Sequence, residues 1–131
     1  MQNYIEENAL SDRIQLLFRV TDEERNWLLT NATLFVTPSL FEGFGRTPAE
    51  AAICKIPVIS TKETSLHEAT MGLCNYVENP KNENELAEQI LKKLENPDSE
   101  EKLLEIAKTL TGNYEPARWA KRYWEILANM L

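Results

Sequence analysis

Short apolar runs recur about twenty residues apart through the first part of the chain: "RIQLLF" (13–18), "LFVTP" (34–38), "PVIS" (57–60) and "CNYV" (74–77). Helical patterns fill the gaps: "DEERNWLLTNA" behind a Thr21 or Asp22 cap, then "PAEAAIC", then a short turn around "SLHEA". That alternation is the pattern of β-α-β units, because parallel strands need a crossover of a dozen or more residues. The expected fold is therefore α/β, a Rossmann-like three-layer domain. Its parallel sheet should have about four or more strands, with helices on both faces.

After Pro80 only the helical period remains. "NENELAEQILKKLEN" aligns Leu86, Ile90, Leu91 and Leu94 on one stripe, and "SEEKLLEIAKTL" aligns Leu103, Leu104, Ala107 and Leu110. Asn96-Pro97-Asp98 separates the two and is expected to supply the second helix's cap. The final helix, "EPARWAKRYWEILANML", carries Trp119, Tyr123, Trp124, Leu127 and Leu131. One stripe does not bury that aromatic load, so part of it should be exposed or should face another chain. The whole length of 131 residues fits one domain with a real core.

The formal charge of −7 removes the electrostatic footprint of a nucleic-acid or anionic-membrane binder. No run is long and apolar enough to span a membrane, and "MQNYIEENAL" lacks the basic start and apolar centre of a signal peptide. A soluble, cytoplasmic protein is expected. Cys54 and Cys74 read as buried free thiols of a reducing compartment. With a single histidine and neither CxxC nor HExxH, zinc has no ligand set.

The chemistry concentrates in "SLFEGFGRTPAEAA" (39–52), which follows the second expected strand and leads into a helix. In an open parallel sheet, ligands bind beyond the carboxyl ends of the strands. Thr47 fits the N-cap, Pro48 the first helical position, and Glu50 the third, which makes Thr-x-x-Glu a capping box. Gly43 and Gly45 permit positive φ or close approach of a ligand. The helix N-terminus behind them suits a phosphate. No GK[ST] follows and a third glycine is missing, so the loop is neither a Walker loop nor a dinucleotide fingerprint. Glu42 and Glu50 add what the glycines lack, since a carboxylate accepts two hydrogen bonds from neighbouring hydroxyls and so grips a diol. A nucleotide sugar offers two diols with a diphosphate between them.

The segment "ATLFVTPSLFEGFGRTPAEAAICKIPVIS" resembles the donor-binding core of retaining glycosyltransferases of family four, whose GT-B fold pairs two Rossmann-like domains. The likeness rests on a Glu-x7-Glu motif, Glu42 to Glu50, with "SLHEA" and "YVENPKNENELAEQI" in the expected order behind it. It implies that Glu42 contacts the donor sugar and stabilises positive charge near the anomeric carbon, and that Glu50 binds ribose. It further implies that the backbone around Phe44 and Gly45, with Gly43, Arg46 and Thr47, lies beside sugar and diphosphate. The implied substrate is a UDP or GDP sugar, with no metal and no cofactor. The implied acceptor is a glycan or a lipid-linked molecule, which would bring the full-length enzyme to the cytoplasmic face of a membrane.

The family's basic pair for the diphosphate and its N-terminal acceptor domain lie before the segment matched here. The expectation is therefore a C-terminal half without turnover by itself, with the N-terminal domain of the same enzyme as its partner. Lys55-Ile56 stands where the family has glycine, Arg46 where an apolar residue is common, and His67 where proline precedes the glutamate matched by Glu68. Arg46 reads as a solvated loop charge or a contact to acceptor or diphosphate, and His67 as a surface residue. Two other readings stay open: an epimerase or phosphorylase of the same fold, and a non-catalytic interaction domain that uses the aromatic last helix.

Overall fold

The computed structural model describes residues 1–129, so Leu131 lies outside the described residues. In chain order the elements are α1 (Gln2–Glu7), α2 (Asp22–Asn31), β1 (Phe35–Val36), α3 (Arg46–Ile53) and β2 (Val58–Thr61). They continue with α4 (Leu66–Ala69), β3 (Asn75–Val77), α5 (Glu83–Glu95), α6 (Glu100–Tyr114) and α7 (Pro116–Ala128). The sheet is parallel in the order β1-β2-β3, with Phe35 opposite Val58, and Ile59 opposite Asn75.

Among the described residues three strands form where about four or more were expected. The run 13–18 is no strand: apart from half-buried Leu16 its apolar side chains lie exposed, Phe18 at 80 % and Leu17 at 48 %. A strand needs a neighbouring backbone to bond to, and apolar pattern alone does not say whether one is present. The short helix α1 was not anticipated, since six residues with only Ile5 buried leave almost no periodic signal.

β2 is buried along its full length, as a central parallel strand should be. The core gathers Ala51 and Ala52 of α3, Val58 of β2, Leu29 of α2, Ile56, and Leu110 of α6. Alanines at the α3 contact let that helix lie close to its neighbours, and α6 packs against α3. Cys54 and Cys74 are free and only half-buried. Burial pushes the Cys74 thiol up to about 11, against an opposing hydrogen bond with Thr70.

Local chemistry sets the helix ends. Thr21 caps α2 in a reciprocal box with Glu24. Asn82 caps α5. Ser99, not the preceding Asn96-Pro97-Asp98, caps α6. Asp98 instead accepts from Lys93 of α5 at 3.0 Å and from Lys102 of α6 at 2.7 Å, clamping the two helices. Lys55 takes φ +62°, the left-handed turn that a glycine adopts freely. Its N–H donates to Ala52 O and that of Ile56 to Ala51 O, which closes α3 in a Schellman motif.

On α7, Trp119 is 38 % exposed, Tyr123 63 % and Trp124 73 %, so the aromatic load of the last helix is left partly uncovered, as its sequence predicts.

Candidate functional site

The carboxyl ends of β1 and β2 carry hydroxyls, and these build the site's frame. Thr61, the last residue of β2, donates through Oγ1 to Ser39 O at 2.8 Å. The Ser39 hydroxyl, 3.2 Å from that of Thr37, donates to Glu42 Oε1 at 2.9 Å. The Glu42 backbone is strapped to the segment after β2: its N–H donates to Thr64 Oγ1, and its carbonyl accepts from the Thr64 and Ser65 hydroxyls. The loop bearing Glu42 is thus held from two directions before any ligand arrives.

Gly45 is the pivot between loop and helix. It sits at φ +79° and is buried, and a Cβ there would come within 2.9 Å of Leu66 Cδ2 and 3.4 Å of Leu66 Cα. Positive φ and the close approach of α4 together favour glycine over any residue with a Cβ. Gly43, by contrast, takes no positive φ, and a Cβ added there would meet nothing within 4 Å, so its bareness opens space and serves no turn.

α3 begins earlier than the capping-box expectation places it. Gly45 is the N-cap and no side chain caps the helix, so Thr47 is an exposed second helical residue and Pro48 the third. Proline is tolerated there because the first four N–H groups have no helical partner. Glu50 is released from capping and instead accepts from Arg46 Nη2 at 3.1 Å, one turn away on the same face. Arg46 is therefore an ion-pair partner of Glu50, with its side chain 73 % exposed.

The two glutamates share a design. Glu42 is held through Oε1 by Ser39, and Glu50 through Oε1 by Arg46. The second oxygen of each has no partner among the described residues. Each carboxylate is oriented yet keeps acceptor capacity for a ligand.

Phe44 is half-exposed and meets Tyr114 of α6 edge-on, with ring centroids 6.2 Å apart. Tyr114 is fixed by its hydroxyl, which donates to Ala69 O at 2.6 Å. This aromatic pair divides two cavities. One of about 230 Å³ is lined by Arg46, Ala49, Glu50 and Ile53 with the pair. The other, about 470 Å³, opens toward Gly43, α4 and α7. The sequence expectation did not contain Ser39, Thr61, Thr64, Ser65 or Tyr114. Serines and threonines clustered just past the strand ends were the available signal.

His67 is exposed on α4, its ring 5.1 Å from that of Tyr76, and it takes no part in this site. No group of three or more His, Cys, Asp or Glu suited to a metal occurs among the described residues.

Residues 1–110 match the family described as Glycosyl transferases group 1. The chain belongs to that family. Among curated relatives, it is 32% identical over 127 residues to an uncharacterized glycosyltransferase, MJ1178, of Methanocaldococcus jannaschii, covering 95% of this chain and 33% of the relative. To the O-antigen chain mannosyltransferase B of Escherichia coli it is 34% identical over 91 residues, covering 70% of this chain and 24% of that one. The chain thus spans about a third or less of the length of these relatives.

Two solved structures share the fold at TM-score 0.77. One is sucrose-phosphate synthase of Thermosynechococcus elongatus, at 23% identity over 98% of this chain and 34% of that one. The other is Anabaena HepE in complex with UDP and glucose, at 21% identity over 98% of this chain and 35% of that one. The α/β architecture with its parallel sheet is that of GT-B glycosyltransferases.

Proposed function

We propose that this group 1 glycosyl transferase chain is the donor-binding domain of a retaining hexosyltransferase, taking a UDP or GDP sugar and passing the hexose to a glycan or lipid-linked acceptor. The observation that carries the reading is the pair of carboxylates at the end of the sheet, each pinned by one oxygen with the other unpartnered among the described residues. In this reading Glu42 grips the hexose and stabilises positive charge near its anomeric carbon. Glu50 grips ribose. The uncapped N–H groups at the start of α3, with the backbone of Gly43, Phe44, Gly45, Arg46 and Thr47, face the diphosphate.

Charge develops on the diphosphate as the glycosidic bond breaks, and helix N-terminal N–H groups stabilise it without reorganising. Family members add a basic pair and a second domain, and the chain acts with those parts of the whole enzyme. By itself it binds donor weakly and transfers nothing. Relatives that include mannosyltransferases favour a hexose as the transferred group. Two half-buried free thiols fit a reducing, cytoplasmic compartment.

The test is a thermal-shift series with UDP, GDP and their hexose conjugates, with and without a chelator. A ligand that binds only the folded state raises the melting point, by an amount that grows with the logarithm of its concentration above Kd. One nucleoside diphosphate and its conjugates should stabilise the chain equally well in the chelator. Stabilisation by none of them overturns the donor reading, and a large loss on chelation overturns its metal-free form.

A further inference from the structure

The 470 Å³ cavity on the far side of Phe44 is a candidate site in its own right. Its volume lies within the range of small-molecule sites, roughly 300–1,000 Å³. Its walls are the rings of Phe44, Tyr114 and Trp119, and its polar groups are Glu68, Asn113 and Arg122. The Tyr114 hydroxyl is spent on Ala69 O, so that residue offers its ring and not its oxygen. The Arg122 guanidinium lies 5.9 Å from the Trp119 ring centre, which holds indole and guanidinium together at the rim.

Glu68 and Arg122 line the same space, yet neither makes an ion pair within 4 Å among the described residues. A carboxylate, an amide and a guanidinium with aromatic walls present acceptors, donors and flat apolar surface together. A phosphate would want one sign of charge, and a purely apolar ligand would strand all three polar groups. A pyranose satisfies the set, because it has an apolar C–H face for the rings and a rim of hydroxyls for the polar groups.

We propose that this cavity binds a pyranose of the acceptor, so that this chain supplies a sugar subsite of its own next to the donor loop. The two cavities share Phe44, which would place the acceptor ring and the donor on either side of one side chain. The assignment to the acceptor rests on the donor reading of the Glu42–Glu50 loop.

The experiment is a titration of the ¹⁵N-labelled chain with methyl α-mannopyranoside and methyl α-glucopyranoside, followed by the indole N–H signals. The three tryptophans are assigned by single Trp→Phe variants, and Trp27 and Trp124 serve as controls. The Trp119 signal should move and saturate with one of the two sugars, while the controls stay still. Glu68→Gln and Arg122→Gln change exposed side chains and should each weaken that binding roughly tenfold, as for one charge-assisted hydrogen bond.

No saturable shift, or one that both variants leave unchanged, overturns the proposal. So does a shift that Glu42→Gln removes, because the sugar then sits at the donor loop. UDP and GDP added to the same sample report separately through the Gly45 amide. A nucleotide response without a sugar response sinks the subsite alone, and the reverse sinks the donor reading and with it the assignment to the acceptor, leaving the pyranose site itself standing.

Discussion

Thr64 and Glu42 hold each other twice: the Glu42 N–H donates to Thr64 Oγ1 at 3.1 Å, and the same hydroxyl donates to the Glu42 carbonyl at 3.1 Å. One side chain on the segment after β2 thereby fixes the backbone under the first glutamate of the motif. Thr64→Val keeps the shape and removes both bonds. It should lower stability by about 1 kcal/mol, and hydrogen exchange at the Glu42 amide should accelerate while the α6 core amides stay protected. Unchanged exchange at Glu42 would mean that the strap is not what orders the loop.

The two carboxylates should separate by ligand. Glu50→Gln is expected to weaken a nucleoside diphosphate and its sugar conjugate alike, by about 1–3 kcal/mol for a charged hydrogen bond. Glu42→Gln should weaken only the conjugate. Calorimetry on both variants, with melting curves to show that they fold, decides the matter. Equal losses for both ligands in the Glu42 variant return that residue to a structural role.

Lys55 carries backbone strain that glycine would relieve. A left-handed L-residue costs roughly 1–2 kcal/mol, and glycine returns about half of that through the freedom of the unfolded chain. Lys55→Gly should therefore stabilise by up to about 1 kcal/mol in urea unfolding. A destabilised variant would show that the lysine side chain contributes more than its backbone costs.

Two neighbouring hydroxyls on β2 should respond in opposite directions. Ser60 Oγ is buried without a partner among the described residues, whereas Thr61 Oγ1 donates to Ser39 O. Ser60→Ala should leave stability unchanged or raise it by about 1 kcal/mol. Thr61→Val should lower it by a similar amount and loosen Ser39. Parallel urea melts compare the two.

The clamp at Asp98 should make stability depend on acid. Burial works against its charge, but hydrogen bonds from Lys102 and Lys93 prevail and hold the carboxyl below the usual range. A depressed folded pKa stabilises above the unfolded value of about 3.9 and is lost as pH falls through the folded one. Asp98→Asn should thus be less stable than the parent at neutral pH, with the gap closing below about pH 4. A gap that persists at lower pH would mean that the asparagine disturbs packing instead.

The sequence disclosed the sheet's β1, β2 and β3 and the helices α2 to α7, because period and cap residues are local properties. It suggested a strand at 13–18 that does not form, since pairing depends on a neighbour that no local pattern encodes. It set the N-cap of α3 at Thr47. The true N-cap is Gly45, packed against Leu66, a residue 21 positions later that only the folded chain brings close. The same distance hid the partners of Glu42: Thr64 and Ser65 lie more than twenty residues away. The Arg46–Glu50 pair was one turn apart and legible in principle, but the capping-box reading claimed Glu50 first.

The strand order β1-β2-β3 repeats the order of synthesis. Each strand lies beside the one before it, and a single short helix bridges each step. The three described strands and both glutamates are therefore synthesised before α6. Leu110, which lies against Ala51 and Ala52, and Tyr114, which braces Phe44, arrive afterwards. During translation, the residues of the loop are made before those of its aromatic wall. A nascent chain halted within α5 would carry both carboxylates over an unsealed core, the interval in which it most needs protection from aggregation.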